Sequence, residues 1–236
     1  MKKLKSLNTG LLLIGLFVVA LAACSTSTPE VPTTVEAPAT VDVPVVVEDI
    51  TVVDEDNNTY VDSDALDHAF SGIATTDLSE AEAEGLSFMR EEEKLARDVY
   101  LMLYEQWGIR IFQNIAKAEE THMSAIADLL ERYGLPDPAE DTAVGVFTNP
   151  ELQALYDQLM EEGSQSLADA LRVGALVEEV DIVDLEGYIE QTDIEDLILV
   201  YQNLLKGSYN HLRAFTSTLE KQTGEIYQLQ LLESDA

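Results

Sequence analysis

Four stretches of the chain repeat apolar residues at alternating steps of three and four, the spacing of one face of an α-helix, and each stripe is broken by an acid or a histidine. Leu86, Met89, Glu93, Ala96, Tyr100, Leu103 and Trp107 form the first, broken at Glu93, while Glu91 and Glu92 fall off it. Phe112, Ile115, Glu119, His122, Ile126, Leu129 and Tyr133 form the second, in which Glu119 and His122 both face inward. The third, Leu167, Leu171, Gly174, Glu178, Asp181, Leu185 and Tyr188, carries two carboxylates. Ala175, Glu179 and Ile182 also share a face there, so the choice between Glu178 and Glu179 stays open. The fourth, Leu197, Val200, Leu204, Gly207, His211, Ala214 and Thr218, carries His211. An ionised carboxylate turned into a core costs several kcal/mol unless something pairs with it. A metal ion is one such partner.

Boundary signals punctuate these stripes. Ser79-Glu-Ala-Glu82 reads as a capping box opening the first helix, and Gly108 stops it. The second runs from about Ile111 to Tyr133, ahead of Gly134-Leu-Pro136, and a polar loop follows from Asp137 to Thr148. Asn149-Pro150 opens a short helix that Gly163 closes. The third long helix begins near Ser166 and breaks at Gln191-Thr-Asp193, where Thr192-x-x-Glu195 reads as the cap of a fourth running to about Gly224. Tight joints within each pair and a long connection between the pairs predict an all-α fold. The expected form is a four-helix bundle of two antiparallel hairpins, joined by a long crossover that contains the short extra helix. It should span residues 66–228, with a C-terminal tail at 229–236. Halfway between Glu93 and the Glu119/His122 pair falls at Trp107 and Gly108, and halfway between Glu178 and His211 falls near Ile194. Both midpoints lie at or beside expected turns, so the inward polar residues should share one level.

Upstream, residues 24–65 are rich in Thr, Pro, Val, Glu and Asp without helical period and read as an extended acidic tether. Val45 to Val53 has strand character but no obvious partner. Asp54-x-Asp56-x-Asn58 opens like a calcium loop, but Thr59 and Ala65 replace its glycine and closing glutamate, so it reads as solvated linker. Residues 1–23 have a basic start, an apolar run from Leu11 to Leu21 and small residues after it, the pattern of an export signal. Leu21-Ala-Ala-Cys24 resembles the bacterial lipobox, which implies a lipoprotein signal peptide and lipidation of Cys24. The expected location is the cell envelope, anchored to a membrane through the lipid. Ser25 resembles the outer-membrane-directed type if the host is Gram-negative.

Charge narrows the function. Forty-five acids against 13 bases give a formal charge of -32, which would repel phosphates and excludes nucleic acid as a partner. Metal cations suit such a surface. Cys24 is the single cysteine, so no internal disulfide and no thiolate cage can form.

The inward set is Glu93, Glu119, His122, Glu178, Asp181 and His211, four carboxylates and two imidazoles. Hard oxygen and imidazole donors that can bridge suit two iron ions, with manganese the alternative, better than a structural zinc. In this reading Glu119 and either Glu178 or Asp181 bridge, Glu93 is terminal, and His122 and His211 take one metal each. Tyr100 is placed to hydrogen-bond a ligand.

Glu93-x-x-Ala96-Arg97-x-x-Tyr100 and Glu119-x-x-His122 resemble the first- and second-helix motifs of rubrerythrin-like and related ferritin-like di-iron proteins. More closely, the blocks Met89 to Tyr100, Arg172 to Ile182 and Gly207 to Phe215 resemble the uncharacterised DUF2202 family. That resemblance covers about residues 78–227 and implies a ferritin-like bundle able to bind metal, without an assigned reaction. One departure stands out: Ser208 occupies the place of the acid in a second Glu-x-x-His, and Asp181 is the expected substitute. The function expected is an envelope-anchored metalloprotein that oxidises ferrous ion or reduces peroxide. The alternative is a non-catalytic module that binds or scavenges metal. Expected partners are metal ions, the membrane and, at most, a second copy of the chain as a homodimer.

Overall fold

In the computed structural model of the protein the described residues are 48–54 and 59–232. Strands β1 (Thr51–Val53) and β2 (Thr59–Val61) precede helices α1 (Ser63–Gly72), α2 (Glu80–Trp107), α3 (Arg110–Arg132), α4 (Pro150–Gly163), α5 (Leu167–Gln191) and α6 (Glu195–Thr223). The content is all-α in class, with one small antiparallel hairpin. Local chemistry explains most of the ends. Ser79 and Glu82 form both halves of a capping box at the start of α2, and Gly108, at φ 68°, ends it in the left-handed conformation that glycine adopts without strain. Asn149 accepts the N–H groups of Glu151 and Leu152 at the start of α4, and Ser166 accepts that of Asp169 in α5.

The four long helices pack as two close pairs, α2 with α3 and α5 with α6; α2 also lies against α5, α3 against α6, and α4 covers α2 and α5. The apolar core is split in two. One cluster gathers Leu95, Val99, Leu103, Phe112, Leu171 and Phe215, and the other gathers Leu86, Met89, Ile126, Leu129, Leu185, Leu197, Val200 and Leu204. Between them every long helix contributes buried polar residues: Glu93 from α2, Glu119 and His122 from α3, Glu178 and Asp181 from α5, Ser208 and His211 from α6.

Three expectations change. The tether does not extend to residue 65, because β1 and β2 pair with Thr51 opposite Val61 and α1 begins at Ser63. The partner strand is close in sequence, but the residues that anchor the hairpin are distant. Ile50, fully buried, donates its N–H to Asn203 in α6, Asn203 in turn donates to the Glu48 carbonyl, and Val61 donates to Thr121 in α3. The calcium-like stretch ending at Thr59 is therefore the connection of a hairpin; residues 55–58 within it lie outside the described residues. Thr192 does not cap α6, whose first turn has no side-chain cap. Its hydroxyl accepts the N–H of Ile194, ahead of the first turn, and donates to Glu82 on α2, joining the two helix pairs at that end. Finally, α2 is buried on more than its stripe, since α4 and the loop before it cover the opposite side. Glu91 accepts the Thr148 and Asn149 N–H groups, Lys94 donates to Asp98 and to the Ala143 and Val146 carbonyls, and Arg90 pairs with Asp137. Residues 1–23, which the sequence reads as a signal peptide, Cys24 and residues 24–47 of the expected tether also lie outside the described residues, as do residues 233–236.

Candidate metal centre

Each acid and histidine of the central layer replaces one apolar position of a helix stripe, so helix packing alone carries it inward; Ser208 lies beside its stripe, next to Gly207. Glu119 occupies the middle: its Oε2 lies 2.8 Å from His122 Nδ1 and its Oε1 lies 2.8 Å from His211 Nδ1. Glu93 Oε2 approaches His122 Nδ1 from α2 at 3.4 Å, and Glu178 Oε2 approaches His211 Nδ1 from α5 at 3.5 Å. The two imidazoles face each other with ring centres 5.5 Å apart. Glu93, Glu119 and His122 thus bring ligand atoms within 4.8 Å of one another, as do Glu119, Glu178 and His211, and Glu119 belongs to both groups.

Asp181 stands outside both groups. Its Oδ2 receives the Ser208 hydroxyl at 2.5 Å, and its Oδ1 is buried without a hydrogen-bond partner. Serine on α6 therefore orients an acid on α5. The Tyr100 hydroxyl donates to Glu178 Oε1 at 2.5 Å, which fixes the carboxylate that meets His211. Glu179 is buried too, but it faces away from the layer: it accepts the N–H groups of Gln230, Leu231 and Leu232 and the hydroxyl of Tyr227, docking the C-terminal segment. The open choice between the two glutamates resolves with Glu178 in the layer.

With protons as the counter-charges, the layer is electrostatically divided. Burial pushes Glu93 up to about 7 even with His122 beside it, and burial together with Glu119 pushes Glu178 up to about 7. Burial, reinforced by Glu93, raises Asp181 well above the usual carboxylate range. For Glu119 burial also opposes the charge, but His211 and His122 outweigh it and hold the carboxyl well below its ordinary value. Burial disfavours both imidazolium ions; Glu119 and Glu93 overcome it at His122, and Glu119 and Glu178 raise His211 to about 10.

The side chains do not satisfy one another, because the short approaches of Glu119 to the two imidazoles are not aligned as hydrogen bonds. Among the described residues, the buried side-chain atoms without a hydrogen-bond partner are both oxygens of Glu92 and Glu93, Glu119 Oε1, Asp181 Oδ1 and both ring nitrogens of His122 and His211. Each such atom costs about 1–3 kcal/mol when its bond is left unmade. All of them fall in or beside one layer, and they are donors of the type that metal ions take. The residues therefore fit a metal ion in each of the two groups that share Glu119. The sequence stripes missed Glu92, because it falls off the one face that a period marks; the run of three glutamates Glu91 to Glu93 was the available signal.

A helical protein whose core is divided by an enclosed layer of acids and histidines able to hold metal is the class that fold and site define. The chain belongs to the family described as Uncharacterized protein domain (DUF2202), whose profile matches residues 82–236. It is 54% identical over 149 residues to Uncharacterized protein MJ0754 of Methanocaldococcus jannaschii, a match covering 63% of this chain and 80% of the relative. The crystal structure of hypothetical protein MJ0754 from Methanococcus jannaschii superposes with a TM-score of 0.67 at 52% identity, covering 68% of this chain and 91% of that one.

Proposed function

We propose that the chain is an envelope-anchored metalloprotein in which α2, α3, α5 and α6 form a ferritin-like four-helix bundle around two iron or manganese ions. The observation that carries this reading is the concentration of unsatisfied buried acid and imidazole atoms around Glu119. Glu119 would bridge, with one oxygen toward each histidine; Glu93 and His122 would complete one side, Glu178 and His211 the other. Asp181, aligned by Ser208, is the remaining carboxylate within the layer. A pair of such ions, when bound, can exchange electrons with dioxygen or peroxide, so ferrous oxidation or peroxide reduction is the proposed activity. The protein's own contribution is an enclosed, fixed geometry: Tyr100 holds Glu178, and Gly207 leaves room for the His122 ring.

A second reading, a metal that is bound or scavenged without catalysis, draws on the enclosure of the layer, since each of the six residues is buried. Anaerobic loading with ferrous ion followed by oxygen or peroxide separates the two. The catalytic reading expects about two irons per chain and rapid oxidation of the bound metal. Equal iron content with no accelerated oxidation would favour the second. Glu119→Ala should abolish metal retention in both cases, and full metal content in that variant would sink the assignment of the site. The envelope location rests on the Leu21-Ala-Ala-Cys24 resemblance, and Cys24→Ala should release the protein from the membrane fraction. Among the described residues no helix is long and apolar enough to cross a membrane.

A further inference from the structure

We propose that Asp184 and Glu92 form the route by which a divalent cation reaches the central layer, taking it from solvent and passing it to Asp181 and Glu93. The proposal rests on the metal-binding reading above and adds two residues outside the six-residue set. Glu92 is 3% exposed, and neither of its carboxylate oxygens has a hydrogen-bond partner. Asp184 of α5 faces it within hydrogen-bonding reach, and Asp181 and Glu93 are its other acidic neighbours. Two carboxylates offer acceptors only, so they cannot satisfy each other without a proton or a cation between them.

The bases nearby on α2 are already engaged: Arg90 pairs with Asp137, and Lys94 and Arg97 both pair with Asp98. Glu92 thus has no protein counter-ion at hand, and burying an unpaired carboxylate is expensive enough that a fold retaining one calls for a partner from outside. Position supplies the direction. Asp184 is half-buried and reaches the surface, while Glu92 lies deeper, next in sequence to Glu93. An ion moving inward would exchange water for carboxylate oxygen at Asp184, then at Glu92, then at Asp181 or Glu93. No bond to carbon changes and no electron moves.

The test uses the purified full-length chain, stripped with a chelator, and Co²⁺ alone as the probe, because its visible absorption changes when protein ligands replace water. Glu92→Gln and Asp184→Asn each keep the side-chain shape and remove the charge, and thermal melting no lower than that of the unmodified chain checks the fold. The expected result is an unchanged Co²⁺ stoichiometry reached roughly tenfold or more slowly in both variants, as loss of one charge from a low-dielectric path requires. Release to excess chelator should slow as well. Loading at the unmodified rate in both variants overturns the route. So does loss of a bound ion in Glu92→Gln, which would make Glu92 a ligand. If the unmodified chain takes up no Co²⁺, the metal-binding reading itself fails, a result distinct from the other two.

Discussion

At Gly207 the backbone of α6 passes so close to His122 that an added β-carbon would lie 2.7 Å from the ring Cε1 and Nε2. Only hydrogen fits there, and the absence of a side chain is what lets the imidazole reach Glu119. Gly207→Ala should therefore tilt the ring, cost about 1–3 kcal/mol through overpacking and lower metal content, as read by thermal melting and elemental analysis. Tyr100 tests a finer contact. Tyr100→Phe keeps the ring against Phe112 and Phe215 but removes the hydroxyl that orients Glu178. Chelator competition should show metal affinity reduced roughly 10–100-fold, the usual range for loss of a ligand-orienting group.

Among the elements, α2 holds the architecture together because it presents charged groups in two directions. One side supplies Glu93 to the layer, and the other ties down residues 137–149 and the start of α4. Glu91 accepts the Thr148 N–H and hydroxyl and the Asn149 N–H. Glu91→Ala should destabilise the protein by roughly 1–3 kcal/mol and speed amide exchange around residues 148–152, since those part-buried donors lose a charged acceptor. The four inward stripes and most caps were legible in the sequence because period and capping act within a few residues. Glu93, Glu119, His122, Glu178, Asp181 and His211 came from that signal, and the fold brings them into one layer. What the sequence concealed depends on distant contacts. A period marks one buried face, so it could not reveal that α4 and the loop before it bury Glu91, Glu92 and Lys94 as well. The strand character of Val45 to Val53 was legible, but its pairing was not, because Ile50 and Val61 are held by Asn203 and Thr121, far along the chain. Thr192 has the spacing of a cap, yet Glu82 claims its hydroxyl.

For the molecule as a whole, the layer makes stability depend on pH in a sense opposite to that of ordinary paired carboxylates. Glu93 and Glu178 rise from 4.5 to about 7, so in the metal-free protein the folded chain retains protons that the unfolded chain has lost, and stability falls as pH climbs between those values. His211, raised from 6.5 to about 10, gives its full contribution below 6.5 and loses it on the way to 10. Glu119, depressed by the histidines, contributes in full above 4.5 and loses that contribution progressively as pH falls below it. Melting temperatures of chelator-treated protein should therefore peak near about pH 5 and decline toward alkaline pH, while metal affinity should increase over the same interval because binding displaces those protons. Metal-loaded and metal-free melting curves measured from acid to alkaline pH would diverge steadily; parallel curves would contradict this account.

The hairpin adds a mechanical consequence. Glu48 and Ile50 are fastened to Asn203, and Asp49 is fastened to Lys206, so tension on the chain ahead of residue 48 is borne by α6. The load arrives at Asn203 and Lys206, within one turn of Gly207 and two turns of His211, where a strained rod would shift the imidazole before any helix came apart.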